Sequence, residues 1–221
     1  MRGWPAWKVL LELGRTAGGA FDLLRSSASQ LGTVVRDHFR DKALGIQTRV
    51  PTLPSPEKGR HGDAGCYDPV GYATLDRLFD RLALGTEDVF IDFGSGQGRA
   101  VFTAASRGLR RVIGVELDEA LVRVAEENLR AFRGDGSAVE FVCRDAADFD
   151  PIEGTVFFMY APFGAKTFAE VVENIKRSLS SRPRKIRIIC HSVGRRLMLS
   201  QGWLELETEL NDGEIAVWRN R

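Results

Sequence analysis

Apolar positions along the chain follow two different spacings, and the change from one to the other predicts alternating helices and strands. Between residues 70 and 84 the apolar residues recur every three or four positions, as on one face of a helix. Short runs such as 88–94 are almost wholly apolar, which is typical of strands that helices cover on both faces. The predicted strands are 88–94, 111–117, 139–145, 155–161, 185–191, 204–210 and 214–219. The predicted helices of this region are 70–84, a helix ending at Gly108, 119–132 and 166–179.

The order of these elements predicts an α/β fold. Alternating strands and helices form a parallel sheet with helices on both faces, and right-handed crossovers make that sheet doubly wound. The last two strands are joined through Asn211, Asp212 and Gly213, which favour a tight turn. We therefore expect a terminal hairpin that adds an antiparallel strand, in a domain that covers residues 70–221.

Residues 1–69 form a separate part of the predicted organisation. Apolar spacing predicts one helix that includes Trp4 and Trp7 and another over residues 31–39. Residues 49–68 are rich in proline and glycine and are interpreted as a connector. We interpret 1–69 as an N-terminal helical cap and connector that shapes an acceptor pocket. A homodimer interface, and peripheral membrane contact through the first helix, are the alternatives.

Composition narrows the class of protein. At 221 residues and 43% hydrophobic content, the chain is typical of one globular domain with an extension. The 31 basic and 30 acidic residues nearly cancel, so we expect no nucleic-acid partner. Cys66, Cys143 and Cys190 give neither a disulfide framework nor a zinc signature, so no metal site is predicted. No signal peptide or transmembrane run is recognised, and we expect a cytoplasmic protein.

A glycine-rich turn between a strand and a helix carries the main chemical signal. Gly94, Gly96 and Gly98 alternate directly after the strand that contains Asp92. Glycines at such a turn allow the backbone to approach a ligand closely. Glu116 ends the next strand, where an acidic side chain can accept hydrogen bonds from ribose hydroxyls. The turn therefore predicts a nucleoside-containing ligand.

Two classes of ligand compete for this turn. A dinucleotide site has the spacing G-x-G-x-x-G, with a pyrophosphate at the start of the helix. Here the spacing is G-x-G-x-G, and the Asp92 carboxylate would repel a pyrophosphate but attract an ammonium group. S-adenosylmethionine carries such a group. The pattern favours that ligand over a nicotinamide dinucleotide, and an NAD(P)-dependent oxidoreductase remains the rival.

The span from Tyr67 to the C-terminus resembles the class I S-adenosylmethionine-dependent methyltransferases. The resemblance rests on D-x-G-S-G-x-G-R at Asp92–Arg99 and on V-I-G-V-E-L in the next strand. It is nearer to small bacterial methyltransferases of unassigned substrate than to DOT1-like and mitochondrial lysine methyltransferases. All of these share a Y-x-P element, here beginning at Tyr67, and the Glu116-Leu117 pair. The resemblance implies a Rossmann-like, seven-stranded mixed sheet in the order 3-2-1-4-5-7-6, with S-adenosylmethionine as cofactor.

The same resemblance implies roles for individual residues around the cofactor. The methionine portion would contact the three glycines and Asp92, and Glu116 would hold the ribose. The adenine would meet the Leu117 side chain, the Asp145 carboxylate and the Ala146 backbone, while Tyr67 would close over the cofactor. The implied cofactor-binding residues are Tyr67, Asp92, Gly94, Gly96, Gly98, Glu116, Leu117, Asp145 and Ala146.

The acceptor side is expected at the end of the fourth strand, at Tyr160, Ala161, Pro162 and Phe163. In the nearest bacterial relatives this element resembles N-P-F, and Ala161 replaces the polar residue, which removes a side-chain hydrogen-bond acceptor. His191 at the end of the fifth strand is a candidate general base, with Tyr160 as its partner. A small-molecule acceptor is the first interpretation and a protein side chain such as lysine the second. A cofactor-binding scaffold without catalysis is a further alternative.

Overall fold

The computed structural model describes residues 32–50, 59–65 and 67–221. The chain divides into two compact units, Met1–Arg40 and Asp41–Arg221. Residues 32–44 are helical (α1), which confirms the helix predicted over 31–39 within the described residues. The helix predicted around Trp4 and Trp7, and Cys66, lie outside the described residues. The unit that holds the sheet begins at Asp41, so it includes connector residues that the sequence assigns to the N-terminal part.

Seven strands form one mixed sheet, in the order β3-β2-β1-β4-β5-β7-β6, which confirms the predicted order. Strands β1 to β5 are parallel, whereas β7 runs antiparallel to both β5 and β6. The strand bounds are Val89–Phe93 (β1), Arg111–Glu116 (β2), Val139–Cys143 (β3), Val156–Met159 (β4), Arg187–His191 (β5), Leu204–Leu210 (β6) and Ile215–Asn220 (β7). Between β6 and β7, Asn211, Asp212 and Gly213 all have positive φ, so the predicted hairpin turn is confirmed.

Helices cover both faces of this sheet. Beyond α1 they are Tyr72–Leu82 (α2), Arg99–Ala105 (α3), Glu119–Ala131 (α4), Ala165–Ser181 (α5) and Ser192–Leu199 (α6), with a short 3-10 turn at Ala146–Asp148. Helix α6 was not predicted, because it follows β5 directly without a turn residue that would mark its start. Helix α2 ends earlier than expected, since Ala83 and not Gly85 takes the left-handed conformation. In the described residues, no helix combines the length and the apolar character that crossing a bilayer requires.

Strand β1 lies at the centre of the core. Val89, Ile91 and Phe93 face one layer, which includes α5, and Phe90 faces the other, which includes α2 and α3. All five residues of β1 are buried, as expected for a strand covered on both faces. Asp92 is therefore a carboxylate within a buried strand, near its carboxyl end, where open α/β sheets bind ligands.

Candidate active site

A cavity of about 470 Å³ opens at the carboxyl ends of the parallel strands. Its wall is formed within the unit Asp41–Arg221. Most of the residues predicted from sequence line it: Tyr67, Asp92, Gly94, Glu116, Leu117, Asp145, Ala146, Tyr160, Ala161, Pro162 and Phe163. Gly96, Gly98 and His191 are not among the lining residues. The structure thus brings the residues of both predicted groups to one site, at the edge where the parallel strands end.

The three glycines of the turn lie against different neighbours, which a side chain at each position would meet. A Cβ at Gly94 would lie 2.1 Å from the Pro162 Cβ, so Gly94 lets the turn approach the acceptor side. A Cβ at Gly96 would lie 2.1 Å from the ring of Tyr67, and Gly98 lies against two phenylalanine rings. Gly96 and Gly98 therefore shape the cavity through their neighbours rather than by lining it.

Glu116 ties the glycine turn to the end of β2. Its carboxylate accepts hydrogen bonds from the backbone N–H groups of Gly96 (2.8 Å), Leu117 (2.7 Å) and Asp118 (2.9 Å). Burial raises the pKa of Glu116, and the three N–H groups act in the opposite direction because they favour the charged form. A carboxylate held in this way points at the cavity and keeps capacity for further hydrogen bonds.

Asp92 and Ser95 are two buried polar groups without partners among the described residues. The Asp92 side chain is 4% exposed, and its carboxylate has no hydrogen bond to any described residue. Burial, and then the charge of Glu116, raise the pKa of Asp92 well above its ordinary value. The buried Ser95 hydroxyl also lacks a partner among the described residues. Because buried polar groups are normally hydrogen-bonded, this end of the cavity fits a ligand that brings cationic or donor groups.

Asp145 lies where residues 59–65 cross the cavity. It accepts hydrogen bonds from the backbone N–H groups of Arg60 (2.7 Å) and Ala147 (2.9 Å). Leu117 and Ala146 line the cavity with it. The predicted adenine-binding residues are thus adjacent, and a segment of the connector covers them.

We name residues 59–65 the strap, because hydrogen bonds fasten them to the acceptor side. Gly65 N–H donates to the Pro162 carbonyl (2.8 Å), and Gly164 N–H donates to the Asp63 carbonyl (2.8 Å). The Thr167 hydroxyl donates to the Asp63 carboxylate (2.5 Å). The strap therefore contacts both the adenine end of the cavity and the segment after β4.

Ion pairs fasten the same strap to α5. His61 Nε2 lies 2.6 Å from a carboxylate oxygen of Glu170, and Arg60 pairs with Glu170 and Asp148. The bond to His61 lowers the pKa of Glu170. Sequence analysis missed these contacts, because His61 and Glu170 are 109 positions apart and no local pattern links them.

Tyr67 is fixed by its hydroxyl and by its ring. The hydroxyl donates to the Thr48 carbonyl (2.8 Å), and the ring fills the space above Gly96. Burial raises the pKa of Tyr67, so the hydroxyl remains protonated at neutral pH. Tyr67 lines the cavity, and its closure over the cofactor stays a prediction.

Glu214 organises the acceptor end. The Tyr160 hydroxyl donates to the Glu214 carboxylate (2.9 Å), and His191 Nε2 lies 3.5 Å from the same oxygen. The Tyr160 and His191 rings meet edge to face at 5.0 Å. Burial, the bond to Glu214 and the charges of Glu214 and Asp68 raise the pKa of Tyr160. Tyr160 lines the cavity, and His191 lies beside it, in contact with the Tyr160 ring and the Glu214 carboxylate. The role of this pair as base and partner stays a prediction.

Ala161 has a backbone conformation that its side chain disfavours. Its φ is 53°, in the left-handed region where asparagine and glycine are common and alanine is not. Its methyl group offers no hydrogen bond, and the carbonyl of Pro162 is already taken by the strap. Tyr160 and the exposed Asp68 are polar residues that line the cavity, and the charge of Asp68 acts on Tyr160.

Arg99 is a cavity-lining cation that sequence analysis did not single out. It begins α3, and its side chain is 2% exposed. Its Nε donates to the Thr48 hydroxyl (2.7 Å), and the guanidinium lies over the Tyr72 ring at 4.8 Å. Thr48 in turn donates to the Asp41 carboxylate (2.9 Å). Its place directly after the third glycine of the turn was the available signal.

Comparison with known proteins gives one family and one relative by sequence. The family described as "Histone methylation protein DOT1" matches residues 57–138. That match ends before β4 and so contains the glycine turn and Glu116 but not residues 160–163. An uncharacterised protein of Methanocaldococcus jannaschii, MJ0284, is 31% identical over 97 residues, which is 44% of this chain. This chain spans about two fifths (41%) of the length of that relative.

Solved structures share the fold over about two thirds of this chain. An RNA methyltransferase from Salinibacter ruber, in complex with S-adenosyl-L-homocysteine, is 25% identical with a TM-score of 0.50, and the similarity covers 69% of this chain and 92% of that one. A proposed methyltransferase of Escherichia coli, yhhF, is 20% identical with a TM-score of 0.55, over 67% of this chain and 86% of that one.

Proposed function

We propose that this chain, as a member of the class I S-adenosylmethionine-dependent methyltransferases, transfers a methyl group to the nitrogen of an amine acceptor. The observation that carries the proposal is the charge pattern of the cavity. At one end are Glu116 and Asp92, a buried carboxylate to which no described residue donates a hydrogen bond. At the other end Asp68 and the Tyr160 hydroxyl, bound to Glu214, face the acceptor position. Both ends attract cations, as a sulfonium cofactor and a protonated amine require.

The residues at the cofactor end fit S-adenosylmethionine. Asp92 supplies an anionic oxygen for the ammonium group, and Glu116 is placed to accept hydrogen bonds from ribose hydroxyls. Leu117, Asp145 and Ala146 line the adenine position. A nicotinamide dinucleotide fits less well, because its pyrophosphate would lie beside the Asp92 carboxylate.

The acceptor end supports an amine for electrostatic reasons. The Tyr160 hydroxyl gives its proton to Glu214 and keeps its lone pairs for a donor on the acceptor. The charge of Asp68 also raises the pKa of Tyr160, so two carboxylates act on that hydroxyl. A protonated amine would be bound here in preference to a neutral or anionic acceptor.

A small molecule is our first choice of acceptor and a protein lysine the second. Ala161 lacks the side-chain acceptor of the related N-P-F element, which separates this chain from the relatives that have it. The DOT1 match favours a protein acceptor, since its description names histone methylation, but it covers residues 57–138 and does not reach Ala161. The match therefore supports the cofactor chemistry more than the choice of acceptor.

The proposed mechanism asks the chain to bind, orient and exclude water. When bound, S-adenosylmethionine supplies an electrophilic methyl group on sulfur, so the reactive chemistry belongs to the cofactor. Tyr160 and Asp68 hold the acceptor nitrogen in line with that methyl group. The proton of the ammonium leaves to the Asp68 carboxylate or to water at the mouth, after which the nitrogen lone pair can attack. Tyr160 does not take this proton, because its own pKa is raised.

Two measurements test the proposal. Thermal shift and calorimetry with S-adenosylhomocysteine and with NADH identify the cofactor, since a ligand at 100 times its Kd adds about 2.7 kcal/mol of stability. S-adenosylmethionine with a tritiated methyl group is then incubated with a panel of small amines and, separately, with cell protein. Label in an amine supports the first choice, and label in protein hydrolysed to methyl-lysine supports the second.

Two outcomes contradict the proposal. One is stabilisation by NADH alone. The other is cofactor binding without methyl transfer to any amine, which favours a scaffold.

A further inference from the structure

Gln97 belongs to the glycine turn, and its side chain is wholly buried. It lies between Gly96 and Gly98 and is 0% exposed. Its amide oxygen accepts a hydrogen bond from the Val50 N–H (2.9 Å), and its amide nitrogen donates to the Val50 carbonyl (2.6 Å). One side chain thus bonds both backbone groups of a single residue, as a residue of a paired strand does. Because Val50 lines the cavity, these bonds fasten the cavity wall to the turn.

Residues 47–50 form a segment whose backbone is held by side chains. Asn128 of α4 accepts a hydrogen bond from the Gln47 N–H (2.8 Å) and donates to the Gln47 carbonyl (2.9 Å). The Asn128 amide nitrogen also donates to the backbone carbonyl of Gln97 (3.0 Å). Since a buried backbone group without a partner is costly, the amides of Gln97 and Asn128 fix where this segment lies relative to the turn.

Tyr67 is attached to the same segment. Its hydroxyl donates to the Thr48 carbonyl (2.8 Å), two residues before Val50. Its ring lies against Gly96, the neighbour of Gln97 in the turn. Tyr67 is therefore connected to the turn twice, directly through its ring and indirectly through Thr48, Val50 and the Gln97 amide.

We propose that Gln97 is a positioning residue for the cofactor: its amide holds residues 48–50, and through them Tyr67, against the glycine turn. Gln97 is not among the residues that line the cavity, so it acts on a ligand through Val50 and Tyr67, which do line it. A wall that is already ordered lowers the cost of binding, because the ligand does not have to order it. This inference rests on the proposed function, since cofactor binding reports the position of the wall.

The test measures the affinity of the full chain for S-adenosylhomocysteine by calorimetry. Gln97→Met keeps the length of the side chain and loses both hydrogen bonds, and the Kd should rise about 3- to 10-fold, which corresponds to the net contribution of about one hydrogen bond. Tyr67→Phe keeps the ring and removes the bond to Thr48. The double variant should bind within about twofold of the weaker single variant, because changes that act through one contact do not add.

Asn220 offers a matched control that separates positioning from stability. Its amide makes the same pair of bonds, with the Ile186 N–H (2.9 Å) and the Arg184 carbonyl (2.9 Å), at the amino end of β5 and outside the cavity wall. Asn220→Leu should lower the free energy of unfolding, as Gln97→Met does, because both leave backbone groups without partners. Its Kd for S-adenosylhomocysteine should stay within about twofold of wild type.

The outcomes separate this inference from the proposed function. An unchanged Kd in Gln97→Met overturns the positioning role and leaves the cofactor proposal standing, even if the variant is less stable. Additive losses in the double variant, or an equal loss of affinity in Asn220→Leu, also overturn it. If S-adenosylhomocysteine does not bind to the wild-type protein, the proposed function fails and this inference fails with it.

A second pair of variants serves if Gln97→Met does not fold. Gln97→Glu keeps the oxygen that accepts from the Val50 N–H and loses only the donor, and Asn220→Asp makes the same change at the control position. Weaker binding of S-adenosylhomocysteine in Gln97→Glu alone supports the role of Gln97. Equal affinity of the two variants overturns it.

Discussion

The ring of Tyr67 lies so close to Gly96 that a Cβ on Gly96 would come within 2.1 Å of the ring carbon Cε2. Tyr67 is fixed from the other side by its hydrogen bond to the Thr48 carbonyl (2.8 Å), so the ring cannot move away without breaking that bond. The second glycine of the turn is thus required by a side chain 29 positions before it. The turn and the segment that precedes the sheet form one packed surface.

Gly96→Ala should destabilise the protein and weaken S-adenosylhomocysteine binding. The left-handed conformation of Gly96 and the clash with Tyr67 each cost about 1–3 kcal/mol. Chemical denaturation and calorimetry measure the two effects. The control is Gly108→Ala, which has positive φ but no atom within 4 Å of the added Cβ, and so reports the conformational cost alone. Equal losses for the two variants would show that the contact with Tyr67 has no energetic consequence.

Asp92→Asn should stabilise the ligand-free protein while weakening cofactor binding. The substitution removes a buried charge without a partner in the described structure, and we expect a gain of about 1–3 kcal/mol. A gain of 1 kcal/mol corresponds to about 2–4 °C in a domain of this size. The matched control is Asp88→Asn in the same region. Asp88 accepts hydrogen bonds from Gly85 N–H and the Thr155 hydroxyl, so its replacement should lower stability.

The stability difference between the wild-type protein and Asp92→Asn should depend on pH in a predictable direction. The pKa of Asp92 is raised in the folded protein above its ordinary value of 3.8, so folding favours the protonated carboxyl. The free energy of unfolding of the wild-type protein should therefore fall relative to that of Asp92→Asn as the pH rises from about 4 towards the raised pKa. Above that pKa the difference in free energy between the two proteins should stay constant. Denaturation of both proteins across this range measures the difference. A difference independent of pH would mean that Asp92 titrates normally.

Tyr160→Phe and Glu214→Ala should impair the reaction without impairing cofactor binding. Each removes one side of the hydrogen bond that orients the acceptor, and we expect kcat/KM for the amine to fall about 10- to 100-fold. The double variant should be scarcely worse than either single variant, because both remove one interaction. The Kd for S-adenosylhomocysteine should stay within twofold of wild type. If the pH profile of kcat/KM keeps its shape in Tyr160→Phe, the Tyr160 hydroxyl positions the acceptor. If one limb of that profile is lost, Tyr160 is the general base.

Ala161→Asn should fold at least as stably as the wild-type protein and increase activity on amines. Asparagine tolerates the left-handed conformation that Ala161 adopts, and its amide adds a hydrogen-bond acceptor at the acceptor position. The control is Ala83→Asn at the end of α2, the position of another alanine with positive φ, which lies outside the cavity wall. It should share the effect on stability but leave activity unchanged. Lower activity in Ala161→Asn would mean that the pocket selects an acceptor that this amide excludes.

Local sequence patterns predicted the parts of the site that lie on consecutive strands. Asp92, Glu116 and Asp145 come at or after the ends of parallel strands, and such ends share one edge of a sheet, so their proximity followed from the pattern. Glu214 and Tyr160 are 54 positions apart, and Arg60 and Asp145 are 85 apart. Those pairs depend on strand register and on the path of a connector, which leave no periodic signal. The contact of Gly96 with Tyr67 was not predicted for the same reason, since Tyr67 belongs to another element.

The strap links two events that a methyltransferase could keep separate. At the adenine end its Arg60 N–H donates to Asp145. At the acceptor end its residues Gly65 and Asp63 bond to Pro162 and Gly164, so one segment covers both ends. Spent cofactor could then leave only after the strap has also released the acceptor side. We expect an ordered kinetic mechanism in which the cofactor binds first and its product leaves last. An acceptor that takes several methyl groups would have to dissociate between additions, which makes the modification distributive.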